Sequence, residues 1–111
     1  MLSLSEEILK DNWNGYGVKA FDKEFVDYCL EIGNKLYLTP QVFPTANKSI
    51  QFEYELEGSY MEIEIYIDKI VHIYKKFSCG KNSLRVLKRY SIDDLNKELS
   101  LFMSEVNENR V

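Results

Sequence analysis

The sequence predicts a single α+β domain: a four-stranded antiparallel β-meander flanked by N-terminal and C-terminal helices that pack on one sheet face. Two observations lead to this prediction. Apolar residues recur at helical spacing near both ends of the chain, whereas between residues 50 and 90 they alternate with polar residues. Alternation of this kind is typical of strands with one buried face. A sheet and two helices that each have one apolar side bury those sides most simply against each other.

The length and composition of the chain fit one ordinary globular domain. Of its 111 residues, 45% are hydrophobic and 29% are charged, so a single core without staples is expected. No apolar run approaches the roughly 20 residues that span a bilayer, and residues 1–7 lack the pattern of a secretory signal. We therefore expect a cytoplasmic protein with no membrane association. Cys29 is expected in a buried helix face and Cys79 in a loop, without a disulfide between them.

The first third of the chain predicts a short helix, a turn and a longer helix. Residues 1–17 contain the short helix and the turn, with Ser3 and Glu6 spaced as a capping box. Residues 20–37 form the longer helix, for which Asp22 is the natural N-cap. Its apolar face consists of Phe21, Phe25, Tyr28, Cys29, Ile32 and Leu36.

The middle of the chain predicts the sheet, and the last part a second long helix. Pro40 and Pro44 restrict the segment after the first helix to extended or turn structure. The predicted strands are residues 50–57, 61–67, 70–77 and 84–90. The turn around residues 68–69 leaves two registers open: a two-residue loop places His72 on the apolar face, and a one-residue bulge moves it to the opposite face. Residues 91–107 form the last helix, which Ser91 caps.

The turn Trp13-Asn14-Gly15-Tyr16-Gly17, the loop Phe43-Pro44-Thr45 and the strand Ile50-Gln51-Phe52-Glu53-Tyr54 together resemble a family of small bacterial and phage-associated proteins. That family has a Trp-Asp/Asn-Gly-Tyr-Gly turn and a Pro-Thr loop before a Glu-aromatic strand. The chain departs from it at Ala46-Asn47-Lys48, where the family has a Gly-rich turn, and at Lys69, where Gly is common. The resemblance implies a bacterial or phage setting and a fold, and it supplies no catalytic residues.

Charged residues are segregated along the predicted sheet. Between Lys48 and Lys69 there are six acids and no base, and from Lys69 to Arg89 there are seven bases and no acid. The simpler interpretation is that acidic and basic strands form cross-strand ion pairs. A second interpretation is an acidic face that binds a basic partner and includes Glu53, Glu55, Glu62, Glu64 and Tyr66. A third is a carboxylate site for a hard cation, which we do not predict because no histidine or Asp-rich loop adjoins these acids.

Three further residues deserve a functional interpretation beside a structural one. Trp13 and Tyr16 form an aromatic contact at an interface, or else the turn that contains them plugs the ends of the helices. His72 could act as a general base only with a nucleophile or acid within reach, and no residue pattern marks one. We therefore predict no catalytic residues.

These observations predict a non-enzymatic protein-binding module, such as an inhibitor, immunity or antitoxin-type protein that acts through its acidic sheet face without a cofactor. The expected partner is a protein with a basic surface. One alternative is a self-associating scaffold domain, which would be a homo-oligomer. Another is a nucleic-acid binder that uses the basic stretch 69–89, which the net charge of −4 disfavours because affinity for nucleic acid comes mainly from Lys and Arg.

Overall fold

The computed structural model describes residues 2–11, 13–15 and 20–108. A short 3₁₀ helix at Glu6–Leu9 precedes the regular elements. These elements are α1 (Lys23–Lys35), β1 (Gln41–Pro44), β2 (Ile50–Leu56), β3 (Ser59–Ile65), β4 (Val71–Lys76), β5 (Asn82–Leu87) and α2 (Ile92–Glu108). The α+β class and the helices at both ends are confirmed.

The sheet has five antiparallel strands in the order β1-β2-β3-β4-β5, so the predicted number of four is wrong. The additional strand is β1, which pairs with β2 through contacts such as Val42 with Phe52. β1 lies at the edge of the sheet, where a proline such as Pro44 removes no hydrogen bond that a second neighbour would need. At the other edge, β5 spans Asn82–Leu87 instead of the predicted 84–90.

Three of the four hairpin connections have the same construction, with three loop residues of which the last has a positive φ. The last loop residues are Lys48, Lys69 and Gly80, with φ angles of 59°, 68° and 99°. In each case the residue before the loop donates its backbone N–H to the carbonyl of the residue after it, over 2.8–3.0 Å. This geometry is the usual three-residue hairpin with a left-handed residue in its last position.

The remaining connection, between β2 and β3, is a two-residue turn. Glu57 and Gly58 both have positive φ angles, of 51° and 79°, as the primed hairpin turns require. The strand before the turn therefore ends one residue before the predicted end at residue 57, and β3 begins at Ser59 instead of at residue 61. The three-residue loop between β3 and β4 also decides the open register, because it places His72 directly opposite Glu64.

Both long helices pack on the same face of the sheet. One row of paired residues crosses this face: Phe52, Ile63, Ile73 and Arg85. At one end of the row, α1 approaches so closely that a Cβ on Gly33 would lie 3.1 Å from the Phe52 ring. At the other end, Arg85 bonds to Glu98 of α2. We call this covered side the helix face and the opposite side the open face.

The helix starts show how well local sequence determines structure here. The Asp22 side chain accepts a hydrogen bond from the Glu24 N–H at 2.9 Å, which confirms it as the N-cap of α1. Ser91 and Asp94 cap each other's backbone N–H groups at 3.2 and 2.8 Å, which confirms a cap at Ser91. The first short helix is capped by Ser5 and not by the predicted Ser3.

None of the helices in the described ranges combines the length and apolar character of a membrane span.

Candidate functional site

The open face of the sheet brings the predicted acidic residues together. Glu53 lies directly opposite Glu62, and Glu55 lies opposite Tyr60. Glu64 pairs with Gln51 on one side and with His72 on the other, so all four glutamates point to the same side. The open face comprises Gln41, Phe43, Gln51, Glu53, Glu55, Tyr60, Glu62, Glu64, His72, Tyr74, Lys76, Asn82, Leu84 and Val86.

Glu53 and Glu62 form a directly opposed pair of carboxylates on this face. Like charges directly opposite each other on paired strands destabilise a sheet. Burial raises the pKa of Glu62, and the carboxylates of Glu64 and Glu53 raise it further, against the effect of a hydrogen bond from Tyr60. That bond, from the Tyr60 hydroxyl to Glu62 Oε1, is 2.8 Å long. Burial and the same bond raise the pKa of Tyr60 above its ordinary value, so its hydroxyl remains a donor at neutral pH.

Glu64 is held by the loop between β1 and β2. Its side chain is buried, and the Ser49 hydroxyl donates a hydrogen bond to Glu64 Oε2. Ser49 Oγ lies 2.6 Å from Thr45 Oγ1, which also accepts hydrogen bonds from the N–H groups of Asn47 and Ser49. The Pro-Thr loop of the sequence therefore orders a hydroxyl that fixes a carboxylate in the centre of the open face. Glu64 contributes charge to this face and little exposed surface.

Aromatic rings flank the carboxylates on the open face. The rings of Tyr60 and Tyr74 have centroids 6.4 Å apart. Tyr66, just beyond the end of β3, lies 4.6 Å from His72, ring centroid to ring centroid. Burial raises the pKa of Tyr66, and the Glu64 carboxylate adds to this. Aromatic faces and carboxylates both attract cations, so the open face combines two kinds of group that favour Lys or Arg side chains.

The simpler interpretation of the charge order, cross-strand ion pairs, is not what the structure shows. Within the described residues, none of the ion pairs joins Glu53, Glu55, Glu62 or Glu64 to a base.

Two of the seven bases point to the helix face instead. Buried Lys75 places its Nζ 2.7 Å from Glu105 Oε1 and 3.7 Å from Glu98 Oε2. Arg85 pairs with Glu98, which is also buried. The stretch 69–89 therefore does not form one continuous basic surface.

Of the two aromatic residues that the sequence analysis names in the N-terminal turn, the structure describes Trp13. The Trp13 ring packs on Phe21 with centroids 5.7 Å apart, and Phe21 in turn lies 6.4 Å from Phe25 of α1. Trp13 Nε1 is buried without a hydrogen-bond partner in the described part of the chain. These contacts make Trp13 part of the packing beneath α1. The predicted contact residue Tyr16 lies outside the described residues.

Comparisons with known proteins supply no template for the site: no family model, no curated protein and no solved structure matches the chain. The resemblance to phage-associated proteins therefore stays a prediction. In the described ranges, no group of three or more His, Cys, Asp and Glu side chains is placed to hold a metal ion.

Sequence reasoning missed the buried ion pairs beneath α2, although the signal is present. Lys75 falls between Ile73 and Phe77 in the alternation of β4, at a position that points to the core. A base in such a position needs an acid from the opposing layer. Glu98 and Glu105 are seven residues apart in the last helix, which places them on the same side of it. The two patterns together would have indicated the pairing.

Proposed function

We propose that the protein is a protein-binding module whose open face binds the basic surface of a partner protein, as an inhibitor, immunity or antitoxin-type protein would. The observation that carries the proposal is the direct pairing of Glu53 with Glu62. No described base neutralises either carboxylate.

A cationic partner would remove an electrostatic penalty that the isolated chain carries. Glu62 is desolvated and repelled by Glu53 and Glu64, while Tyr60 and Ser49 hold the carboxylates in place. Lys or Arg side chains placed between these groups would convert repulsion into attraction. Complementary charge of this kind speeds association and selects the partner. The site is also preorganised, because the hydrogen bonds that orient Glu62 and Glu64 exist before binding.

The partner surface is expected to combine bases with an apolar patch. Across the open face most side chains of β2 and β3 are carboxylates, those of β4 are two rings and a lysine, and β5 adds two aliphatic side chains. Leu84 and Val86 on β5 are 60% and 49% exposed. Protein interfaces commonly place apolar contacts beside polar ones, and the open face offers both within the width of one sheet.

The test is affinity capture from host lysate at low salt with wild-type protein and the variant Glu53→Gln/Glu62→Gln. Both substitutions keep the size of the side chain and remove the charge. The matched control, Glu6→Gln/Glu24→Gln, removes two exposed charges outside the sheet. We expect wild type and control to retain the same basic protein, and the open-face variant to retain about a tenth as much or less, which corresponds to about 1.4 kcal/mol.

Two results would contradict the proposal. Equal capture of the same protein by all three forms would exclude the open-face glutamates as the binding site. Capture of no basic protein by wild type would remove the expected partner. Raising the salt concentration should release the partner from wild type, because exposed charge pairs are screened.

A further inference from the structure

The edge strand β5 and helix α2 enclose a groove on the side of the molecule, away from the open-face glutamates. Its volume is about 420 Å³, and its walls are Arg85, Leu87, Arg89, Asp94, Lys97, Glu98 and Leu101. Two alternate residues of β5, Arg89 just beyond its end, and residues one helical turn apart in α2 supply these side chains. The groove therefore runs between a strand edge and a helix side.

The backbone of β5 is open to pairing on its outer side. β5 is the last strand of the sheet, and its six residues pair only with β4 among the strands that the structure describes. Its outward N–H and C=O groups can accept another strand. Edge strands of this kind bind extended peptides by main-chain hydrogen bonds, with pockets on either side for alternate side chains.

Apolar groups are exposed on both sides of this edge. Leu84 and Val86 lie on the open face, 60% and 49% exposed, and Leu101 of α2 lies on the other side, 46% exposed. An added strand would cover Leu84 and Val86 with one set of its side chains. The other set would enter the groove beside Leu87 and Leu101.

The charges of the groove select the kind of strand. Arg85 is paired with Glu98, and Asp94 accepts a hydrogen bond from the Ser91 backbone N–H at the start of α2. Arg89 and Lys97 also line the groove and make no ion pair with the described residues. The groove therefore has three bases, Arg85, Arg89 and Lys97, against two acids, so it carries an excess of positive charge.

We propose that this groove binds an extended acidic segment of another protein, which joins the sheet beside β5. Alternate side chains of a strand point to the same side. The apolar side chains of the segment would cover Leu84 and Val86, and its acidic side chains, at the alternate positions, would enter the groove and meet Arg89 and Lys97. This proposal is independent of the function proposed for the open face.

A second copy of this chain is the less suitable occupant. Antiparallel pairing of β5 with itself brings one basic segment beside another, and like charges on paired strands destabilise a sheet. The other free edge, β1, has the sequence Gln41–Pro44 and no charged residue, so it gives no charge complementarity either.

The test uses a fluorescent, end-capped decapeptide in which valine and leucine alternate with glutamate, and measures binding to the full-length protein by anisotropy. The control peptide has lysine in place of each glutamate. We expect the acidic peptide to bind and Arg89→Glu/Lys97→Glu to weaken it by about tenfold or more, since the reversal replaces attraction with repulsion. The matched protein control, Lys10→Glu/Lys23→Glu, reverses two exposed bases outside the groove and should bind as wild type does.

The mode of binding is tested separately with a peptide methylated on alternate backbone nitrogens. Methylation of the nitrogens that face β5 removes main-chain hydrogen bonds and should abolish binding, whereas methylation of the other set should not. Glu53→Gln/Glu62→Gln should leave peptide binding unchanged, which keeps this result apart from the open-face test. Three results would each overturn the proposal. The protein could bind the lysine peptide with equal affinity, or Arg89→Glu/Lys97→Glu could leave the affinity unchanged. The third result is a dimer of the protein that excludes the peptide.

Discussion

At the scale of single residues, Glu62 of the proposed binding face also affects stability. Its pKa is raised in the folded chain by burial and by the neighbouring carboxylates. A glutamate with a raised folded pKa stabilises the protein most at pH values below its unfolded pKa of about 4.3, and this contribution is lost as the pH rises through the folded pKa. At neutral pH the charged side chain therefore lowers the free energy of unfolding.

Glu62→Gln should consequently raise the free energy of unfolding by about 0.5 kcal/mol at pH 7, because it removes the repulsion from Glu53 and keeps an acceptor for Tyr60. The gain should shrink toward pH 4, where the wild-type carboxyl is protonated. Urea unfolding at both pH values measures it. Glu55→Gln is the control, since Glu55 is exposed and lies opposite Tyr60 instead of a carboxylate. A variant no more stable than wild type at pH 7 would contradict this account.

The two cysteines are expected to differ in reactivity because they differ in burial. Cys29 is fully buried in the core, and burial raises the pKa of its thiol to about 12, so almost no thiolate forms near neutral pH. Cys79 is exposed in the loop before β5. We expect an aromatic disulfide reagent at pH 8 to modify Cys79 alone in the native protein and both thiols in denaturant. Native Cys79→Ser should not react, and rapid modification of that variant would show that Cys29 is accessible.

At the scale of elements, the three hairpin loops of similar construction can be compared with one another. Their last residue has a positive φ, and this residue is Lys48 or Lys69 in two loops and Gly80 in the third. A residue with a Cβ is strained in this region, whereas glycine is not. Lys69 is unsuitable for substitution because its Nζ also lies 4.6 Å from the Tyr28 ring centroid. Lys48 and Gly80 are the informative pair.

Lys48→Gly should raise the free energy of unfolding by about 0.5 kcal/mol, and Gly80→Lys should lower it by about 1 kcal/mol. The gain is the smaller change because glycine also increases the entropy of the unfolded chain. Ala46→Gly, in the same loop but without a positive φ, is the control and should not stabilise. Denaturant midpoints of the three variants measure the effect. A loss of stability in Lys48→Gly would show that the left-handed lysine carries no strain.

The same loops show where prediction from sequence succeeds and where it stops. The four glutamates share a face because the alternation of β2 and β3 is strict, which the sequence indicates, and because the two-residue turn between the strands preserves it. The position of His72 depends on a lysine that adopts a left-handed conformation at residue 69, which residue preference disfavours. The burial of Glu64 depends on Ser49, which a folded loop brings to it from fifteen residues away in the chain. Such contacts are tertiary and have no periodic signal.

At the scale of the whole molecule, charge is distributed differently on the two faces of the sheet. The helix face neutralises its charges internally, through Lys75, Arg85, Glu98 and Glu105. Among the described residues, the four glutamates of the open face make no ion pair with a base, and the groove at the β5 edge has more bases than acids. The segregation seen in the sequence therefore becomes two surfaces of opposite net charge, and each of the two proposals depends on one of them.

The buried ion pairs also join parts of the chain that are distant in sequence, and their coupling can be measured. Lys75→Met should lower the free energy of unfolding by about 2 kcal/mol, since among the described residues it leaves the buried Glu98 with Arg85 as its only ion-pair partner. Lys75→Met/Glu98→Leu removes both buried charges and should return to within about 1 kcal/mol of wild type. A double-mutant cycle of chemical unfolding measures this interaction. Lys76→Met, at the exposed neighbour of Lys75, is the control and should change stability by less than about 0.5 kcal/mol. Additive losses in the cycle would mean that Lys75 and Glu98 do not hold α2 on the sheet as a pair.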